Sequence, residues 1–442
     1  MTPPVPPMPT PAPTRADRGS IPTFRAVLPN GLTLLVRENH ANPTISLQGL
    51  VKAGALYDGS RRAGLARFTA SMLDQGTASR DALALASTVE DIGASLHFEG
   101  GAESVTIRAT MLAEDLDAVL GVLAEELRAP VFPAEQIDKV RADLLNDVRL
   151  AESTTSSVAA RRASELIFPE GHPFHEHRGG SEASLRAVTR DDLTAFHLAR
   201  YRPDAVILAL VGDVTPEQAV ASAGRVLGDW LKPAASLDFE IPAAPPPPRS
   251  IRRAVSMPGR SQADVVVAFP GVARTAPDYD AVMMMNYILG GASLSSRLME
   301  NLRDAQGLVY GVYSMLNPGI GAGPLQIRAG TNPKNVERCV ESIAAELKRL
   351  HDEGPTDAEM EAAKGYLTGV FPVRLEANSG VAAQILAVEL YALGADYLER
   401  YETIVGGITK EATAAAARRY LTLDHYVLAV AGDVPEESAH AL

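Results

Sequence analysis

Two stretches of this chain repeat one another. "YRPDAVILALVGDVTPEQA" begins at Tyr201, and "YLTLDHYVLAVAGDVPEESA" begins at Tyr420. Each reads as an apolar strand, a Gly-Asp turn, and then a Pro-Glu helix start. Gly212 and Asp213 correspond to Gly432 and Asp433, 220 residues further on. Each match falls at the end of one half of the chain, so a duplicated domain is the better reading than chance.

The order within each half agrees with duplication. Strand signals come first, "LTLLVREN" and "ISLQGLVKAG" in the first half and "DVVVAFPG" in the second. A long helical stretch follows, then a strand at "SVTIRATM" or "GPLQIRAG". "LDAVLGVLAEELRAP" and "VERCVESIAAELKRLHDEG" come next, with apolar residues at helical spacing and a Pro or Gly stop. Strands and long helices without regular βαβ alternation predict α+β sandwich domains. Between the halves "AAPPPPRS", Ala243 to Ser250, reads as a stiff linker. The expected organisation is a proline-rich tail over 1–20, a first domain over 21–235, a linker over 236–250 and a second domain over 251–442. The tail carries seven prolines in its first 13 residues and is read as extended and disordered.

Bulk properties narrow the function. At 442 residues the chain is too long for one ordinary core. A formal net charge of −13 argues against general nucleic-acid binding. Cys339 is the single cysteine, so no internal disulfide forms, and it reads as a small buried hydrophobe. No stretch is long and apolar enough to span a membrane, and the N-terminus lacks a secretory signal, so the expected location is cytoplasmic.

One early stretch, "GLARFTASMLDQGT" from Gly64 to Thr77, is bounded by glycine and reads as a helix. Arg67, Ala70 and Ser71 would share one face. Here the chain resembles the pitrilysin and mitochondrial processing peptidase family of zinc peptidases, the insulinase-like group, over nearly all of residues 20–442. The resemblance rests on "LPNGLTLLVREN", "KAGALYDGSRRAGLARF", "GHPF", "YRPDAVILALVGDV" and, most specifically, "LGGASLSSRLMENLRDAQGLVYGVYS". It implies two homologous α/β sandwich domains, each a mainly antiparallel sheet packed with helices, as in the small-subunit branch.

Active members carry His-x-x-Glu-His on the early helix and a distal Glu, which together hold and use Zn²⁺. The matching positions here are Arg67, Ala70 and Ser71, with Asp147 at the distal place, 76 residues beyond Ser71. A guanidinium cannot ligate, an alanine is no base, and a lone carboxylate does not hold zinc. No metal is therefore expected in this chain, and an Arg67–Asp147 ion pair in the vacated site is one expectation. The resemblance further implies a substrate-binding pair in the second half, Arg303 and Tyr310, which would donate hydrogen bonds to substrate oxygens. The expected function is that of a noncatalytic subunit, not an enzyme on its own. Its partner would be a catalytic subunit holding zinc, and its substrates peptides added as a strand to a sheet edge near "AESVTIRATM". An inert scaffold or peptide-binding module of the same fold is the alternative.

Other features read as structural. His172, His175 and His177 crowd one loop, but no further His or Cys cluster completes a metal site. His97 falls in a strand stretch. "LGGASLSS" lacks the Gly-Lys-Ser/Thr ending of a phosphate loop, and "VMMMNYIL" from Val282 reads as a core helix.

Overall fold

The computed structural model describes residues 23–59, 62–175, 178–235, 241–292 and 294–441. The proline-rich tail, His177 and the first part of the expected linker, 236–240, lie outside the described residues. The first half runs β1 (Phe24–Val27), β2 (Thr33–Glu38), β3 (Thr44–Val51), α1 (Leu65–Ala70), α2 (Ala82–Glu90), β4 (Ser95–Gly100) and β5 (Val105–Leu112). It continues with α3 (Leu116–Arg128), α4 (Ala134–Ser153), α5 (Thr155–Ile167), α6 (Glu182–Ala187), α7 (Arg190–Arg200), β6 (Val206–Gly212) and α8 (Pro216–Leu227). The second half runs β7 (Ile251–Ser256), β8 (Ala263–Pro270), α9 (Tyr279–Asn286), β9 (Val309–Pro318), β10 (Ala322–Thr331), α10 (Val336–Glu353) and α11 (Asp357–Arg374). It ends with α12 (Asn378–Leu390), α13 (Tyr397–Gly407), α14 (Lys410–Tyr420), β11 (Val427–Gly432) and β12 (Glu437–Ala441).

Among the described residues the strands form two six-stranded sheets, ordered β1-β2-β6-β3-β5-β4 and β12-β7-β11-β8-β10-β9. The last five positions follow the same pattern, and the outermost strand is the first of its half in one sheet and the last of its half in the other. In each sheet the last long strand of the half lies parallel to the first long one, β6 beside β2 and β11 beside β7. Every other pairing is antiparallel. The fold is thus α+β, two mixed sheets each packed with helices.

The two repeated stretches sit at the same place in each sheet. A Cβ at Gly212, where φ is +143°, would overlap the carbonyl oxygen of Thr44, so only glycine lets β6 close against β3 there. Past the Gly-Asp turn the two halves diverge. Thr215 caps α8 by accepting the Gln218 N–H, with Pro216 in the first turn. The second half has Val434 directly before Pro435, so the hydroxyl cap is missing. The helix expected after Gly432-Asp433 does not form there. The chain instead runs as β12 along the open edge of β7, where a sheet edge supplies the hydrogen bonds that an uncapped helix start would lack.

β6 and β11 are buried at every residue. On β6, Leu208 and Leu210 face the core of their own half, while Ile207, Ala209 and Val211 face Ala382, Ile385 and Leu386 of α12. On β11, Leu428 and Val430 face inward, while Val427, Ala429 and Ala431 meet Val158, Ala159, Ala163 and Ile167 of α5. The halves therefore exchange helices: each sheet has its second face covered by a helix from the other half. Each fully buried branched side chain is worth about 1.5–3 kcal/mol, so this exchange is a substantial part of what joins the halves. Polar ties follow the same route. Arg25 forks onto Glu389 at 2.9 Å through both nitrogens, and Thr155 Oγ1 donates to Asp264 at 2.5 Å.

Candidate functional site

α1 is short and almost wholly sunk in the core: Leu65, Ala66, Phe68, Thr69 and Ala70 are buried. Gly64 precedes it at φ +93°, and Asp58 accepts the Gly64 and Ala66 N–H groups at 2.7 and 2.6 Å, satisfying the helix start. Burial pushes the Asp58 carboxyl up to about 7, against the pull of those N–H groups. The helix expected through Thr77 stops at Ala70. Beyond it the backbone tightens into three-residue turns, Met72 N–H to Thr69 and Leu73 N–H to Ala70, and Gly76 at φ +133° redirects the chain. Met72 and Leu73 stay fully buried through these turns, which is why their spacing mimics a longer helix.

Arg67 and Asp147 meet. The Arg67 guanidinium lies 2.5 Å from the Asp147 carboxylate on α4, with the two side chains 34% and 53% exposed. α4 holds α1 a second way, since Arg141 lies over the Phe68 ring at 5.2 Å while donating to the Val188 carbonyl at 2.9 Å. Ala70 is buried and Ser71 half-buried on the next turn. These residues do not fit zinc. The position's cation is a permanently protonated guanidinium, it already occupies the one carboxylate, and Ala70 and Ser71 offer a methyl and a single hydroxyl. Among the described residues no group of three or more His, Cys, Asp or Glu is placed to hold a metal ion.

Arg303 and Tyr310 also come together, in the second half. Arg303 lies on a π-helical segment, Met299–Ala305, whose wide turn is closed by Gln306 N–H to the Asn301 carbonyl. A polar network fastens that segment to α10: Asn301 to Glu346 at 2.6 Å, Gln306 to Asn301 at 2.8 Å and to Ser342 at 3.0 Å. Just upstream, buried Arg297 forks onto Glu359 of α11 at 2.6 and 2.7 Å. Arg297 beside it holds the Glu359 carboxyl down at about 2, against the effect of burial. Tyr310 opens β9 at a bulge: Val309 pairs with Thr331 and Val312 with Ala329, so Tyr310 and Gly311 together oppose Gly330. The bulge keeps both Val309 and Val312 in the core and turns Tyr310 outward, 92% exposed. The Arg303 guanidinium carbon lies 5.9 Å from its ring centre. No ion pair or hydrogen bond joins this pair to Arg67–Asp147 among the described residues.

The other expectations resolve locally. His172 Nδ1 accepts the Phe174 N–H, leaving Nε2 to donate to the Pro242 carbonyl, so both nitrogens are used. His175 Nδ1 donates to the Phe168 carbonyl at 2.8 Å. Cys339 is buried, its thiol pushed up to about 12 by burial. The sheet edge expected at "AESVTIRATM" is corrected: β5 is flanked on both sides, by β3 and β4, and β4 forms the edge. β5 alternates buried and accessible residues along its length, a pattern that an edge strand and an inner strand share. No sequence reading singled out Arg297. The signal available was its place within "SSRLMENLRD", one helical stretch ahead of Arg303.

Two family descriptions match the sequence. "Insulinase (Peptidase family M16)" matches residues 33–170, and "Peptidase M16 inactive domain" matches residues 187–367. Among curated proteins, an "uncharacterized zinc protease" of Mycobacterium leprae is 26% identical over 83% of this chain and 82% of its own length. One of Bacillus subtilis is 22% identical over 92% of this chain and 98% of its own. Among solved structures, a peptidase M16 inactive domain from Pseudomonas fluorescens aligns at TM-score 0.87 with 27% identity, covering 94% of this chain and 99% of that one. A protease from Helicobacter pylori has the same fold at TM-score 0.87 and 18% identity, covering 93% of this chain and 99% of that one.

Proposed function

Because the chain belongs to the insulinase-like M16 peptidase family, with the M16 inactive domain matched over residues 187–367, we propose that it is the noncatalytic subunit of a two-chain zinc peptidase. The observation that carries this reading is the contrast between the two pairs. Where an active member's metal would sit, Arg67 and Asp147 neutralise each other at 2.5 Å. In the second half, Tyr310 is exposed on a bulge with Arg303 beside it. A partner chain carries the intact His-x-x-Glu-His helix and its zinc. This chain's part is to bind a peptide and to place the Arg303 fork and the Tyr310 hydroxyl on carbonyl oxygens that gain charge during hydrolysis. The open edges of β4 and β9 offer unpaired main-chain groups to an extended peptide. The chain works in the cytoplasm in this reading.

The test uses the co-purified two-chain complex. Arg303→Ala or Tyr310→Phe in this chain is expected to lower kcat about 100-fold, the loss typical of removing one such donor. Unchanged turnover in both variants sinks the idea and leaves an inert scaffold as the reading that survives.

A further inference from the structure

A cleft of about 590 Å³ opens where the halves meet, lined by the 102–104 turn, α5, residues 168, 173–175 and 178, β9 and β10. Its size falls within the usual range for ligand sites, roughly 300–1,000 Å³. Its charge runs against that of the whole chain. Arg161, Arg178 and Arg328 line it, and Glu103 is the carboxylate among its walls. Glu103 is already engaged, accepting the Ile320 and Gly321 N–H groups at 2.9 and 3.2 Å. Arg161 is countered by Glu152 and Glu165, so in a protein of net charge −13 the positive field in the cleft comes from Arg178 and Arg328.

Arg161 and Arg328 are held by neighbouring side chains, and Arg178 is exposed at the rim. Arg328 is fixed by buried Gln326, whose side-chain oxygen accepts both Arg328 Nε and Nη2, at 3.2 and 2.7 Å. That leaves Nη1 without a protein partner among the described residues. Arg161 is held between two carboxylates, Glu152 at 3.3 Å and Glu165 at 3.7 Å. Phe168, Phe174 and Met315 supply apolar wall between these charges. A guanidinium fork held in one orientation suits a planar carboxylate, and an apolar wall beside it suits the rest of a peptide.

We propose that this cleft binds an acidic peptide segment, with Arg328 and Arg178 receiving its side-chain carboxylates. The proposal rests on the reading that the chain handles peptides, but it needs neither the partner nor Arg303 and Tyr310. The cleft makes the chain selective for acidic segments independently of where cleavage occurs.

Fluorescence anisotropy on the full chain alone tests this with a labelled extended peptide bearing two glutamates, and the same peptide with glutamines in their place. The acidic peptide is expected to bind at least about tenfold more tightly, since hydrogen bonds between charged groups are each worth about that much. The preference should shrink at high salt. R178Q/R328Q should remove the preference while the unfolding temperature stays at the wild-type value, and R178K/R328K should restore part of it. R303A/Y310F should leave it intact, so failure at the catalytic pair and failure at the cleft are separable. Equal binding of the two peptides overturns the proposal, as does an acidic preference that survives in R178Q/R328Q. So does citrate displacing the acidic peptide at concentrations equal to the peptide's own Kd, because charge alone would then fill the site.

Discussion

The two halves place one helix layer in equivalent surroundings and treat it differently. α1 packs against α4, α7 and β4, and α9 with its π-helical continuation, Tyr287–Gly291, packs against α11, α14 and β9. In the first half this layer ends in a closed ion pair, Arg67–Asp147. In the second, the next segment ends in an exposed Tyr310 with Arg303 beside it. The α1 frame is set by its buried side chains. Leu65, Phe68 and Met72 are almost or wholly without exposure and fix α1 in the core. Arg67 reaches out of that core to Asp147 on α4, so it can change without unpacking the helix.

Restoring the donors breaks the contrast most directly. R67H/S71H/D147E rebuilds two imidazoles and a longer carboxylate on the retained frame. Metal analysis should move from no bound zinc to about one ion per chain, and a folded variant that takes up none would show that α1 and α4 no longer form a metal frame. The helix exchange gives the next largest effect. Ile385→Ala on α12 and Ile167→Ala on α5 each empty a buried site on the opposite half's sheet. Each should cost about 2–5 kcal/mol in chemical denaturation, and near-equal costs would mean that the exchange is energetically symmetric.

The acid response of the first half comes next. His197 is buried in the first half, stacked 4.8 Å from Tyr201, with Nε2 donating to the Leu127 carbonyl at 2.9 Å. Burial pulls its imidazole down to about 4. The unfolded chain takes up the proton near 6.5 and the folded chain only near 4, so this contribution is complete above pH 6.5 and is lost as pH falls towards 4. It amounts to roughly 3 kcal/mol. H197Q should flatten the stability profile between pH 4 and 6.5, and a profile parallel to wild type would contradict the assignment. Glu126 works in the opposite sense: burial, with Asp74 and Glu125 nearby, pushes its carboxyl up to about 8. Its contribution is complete below 4.5 and declines as pH rises towards 8. The smallest effect belongs to the closed pair itself. Both Arg67 and Asp147 are more than one-third exposed or close to it, so D147A should cost no more than about 1 kcal/mol by thermal or chemical unfolding.

Much of this was legible in the sequence. The repeated strand and Gly-Asp turn marked the duplication because a glycine at that corner answers a local steric demand. An Arg67–Asp147 ion pair was one of two expectations drawn from the family pattern, and the structure forms it. Three readings missed for nameable reasons. The α1 helix was drawn too long because buried Met72 and Leu73 keep a helical spacing through successive tight turns. The helix after Asp433 was expected because Pro-Glu comes next, but the hydroxyl cap present at Thr215 has no counterpart before Pro435. β5 was expected to be the edge from the family resemblance, and its alternating pattern could not correct this because inner and edge strands share it.

The local elements and the twofold repeat were legible in the sequence, since periodicity and capping are properties of neighbouring residues. The sequence also determined that β6 and β11 must be buried, because their runs are apolar at nearly every position. Only the tertiary structure decided what buries them. An apolar face records that it avoids water and carries no record of which surface covers it, so the crossing of α5 and α12 between halves had no local signature. The cleft lined by Arg161, Arg178 and Arg328 arises at that same junction, from residues far apart in the chain that the exchange brings into one wall.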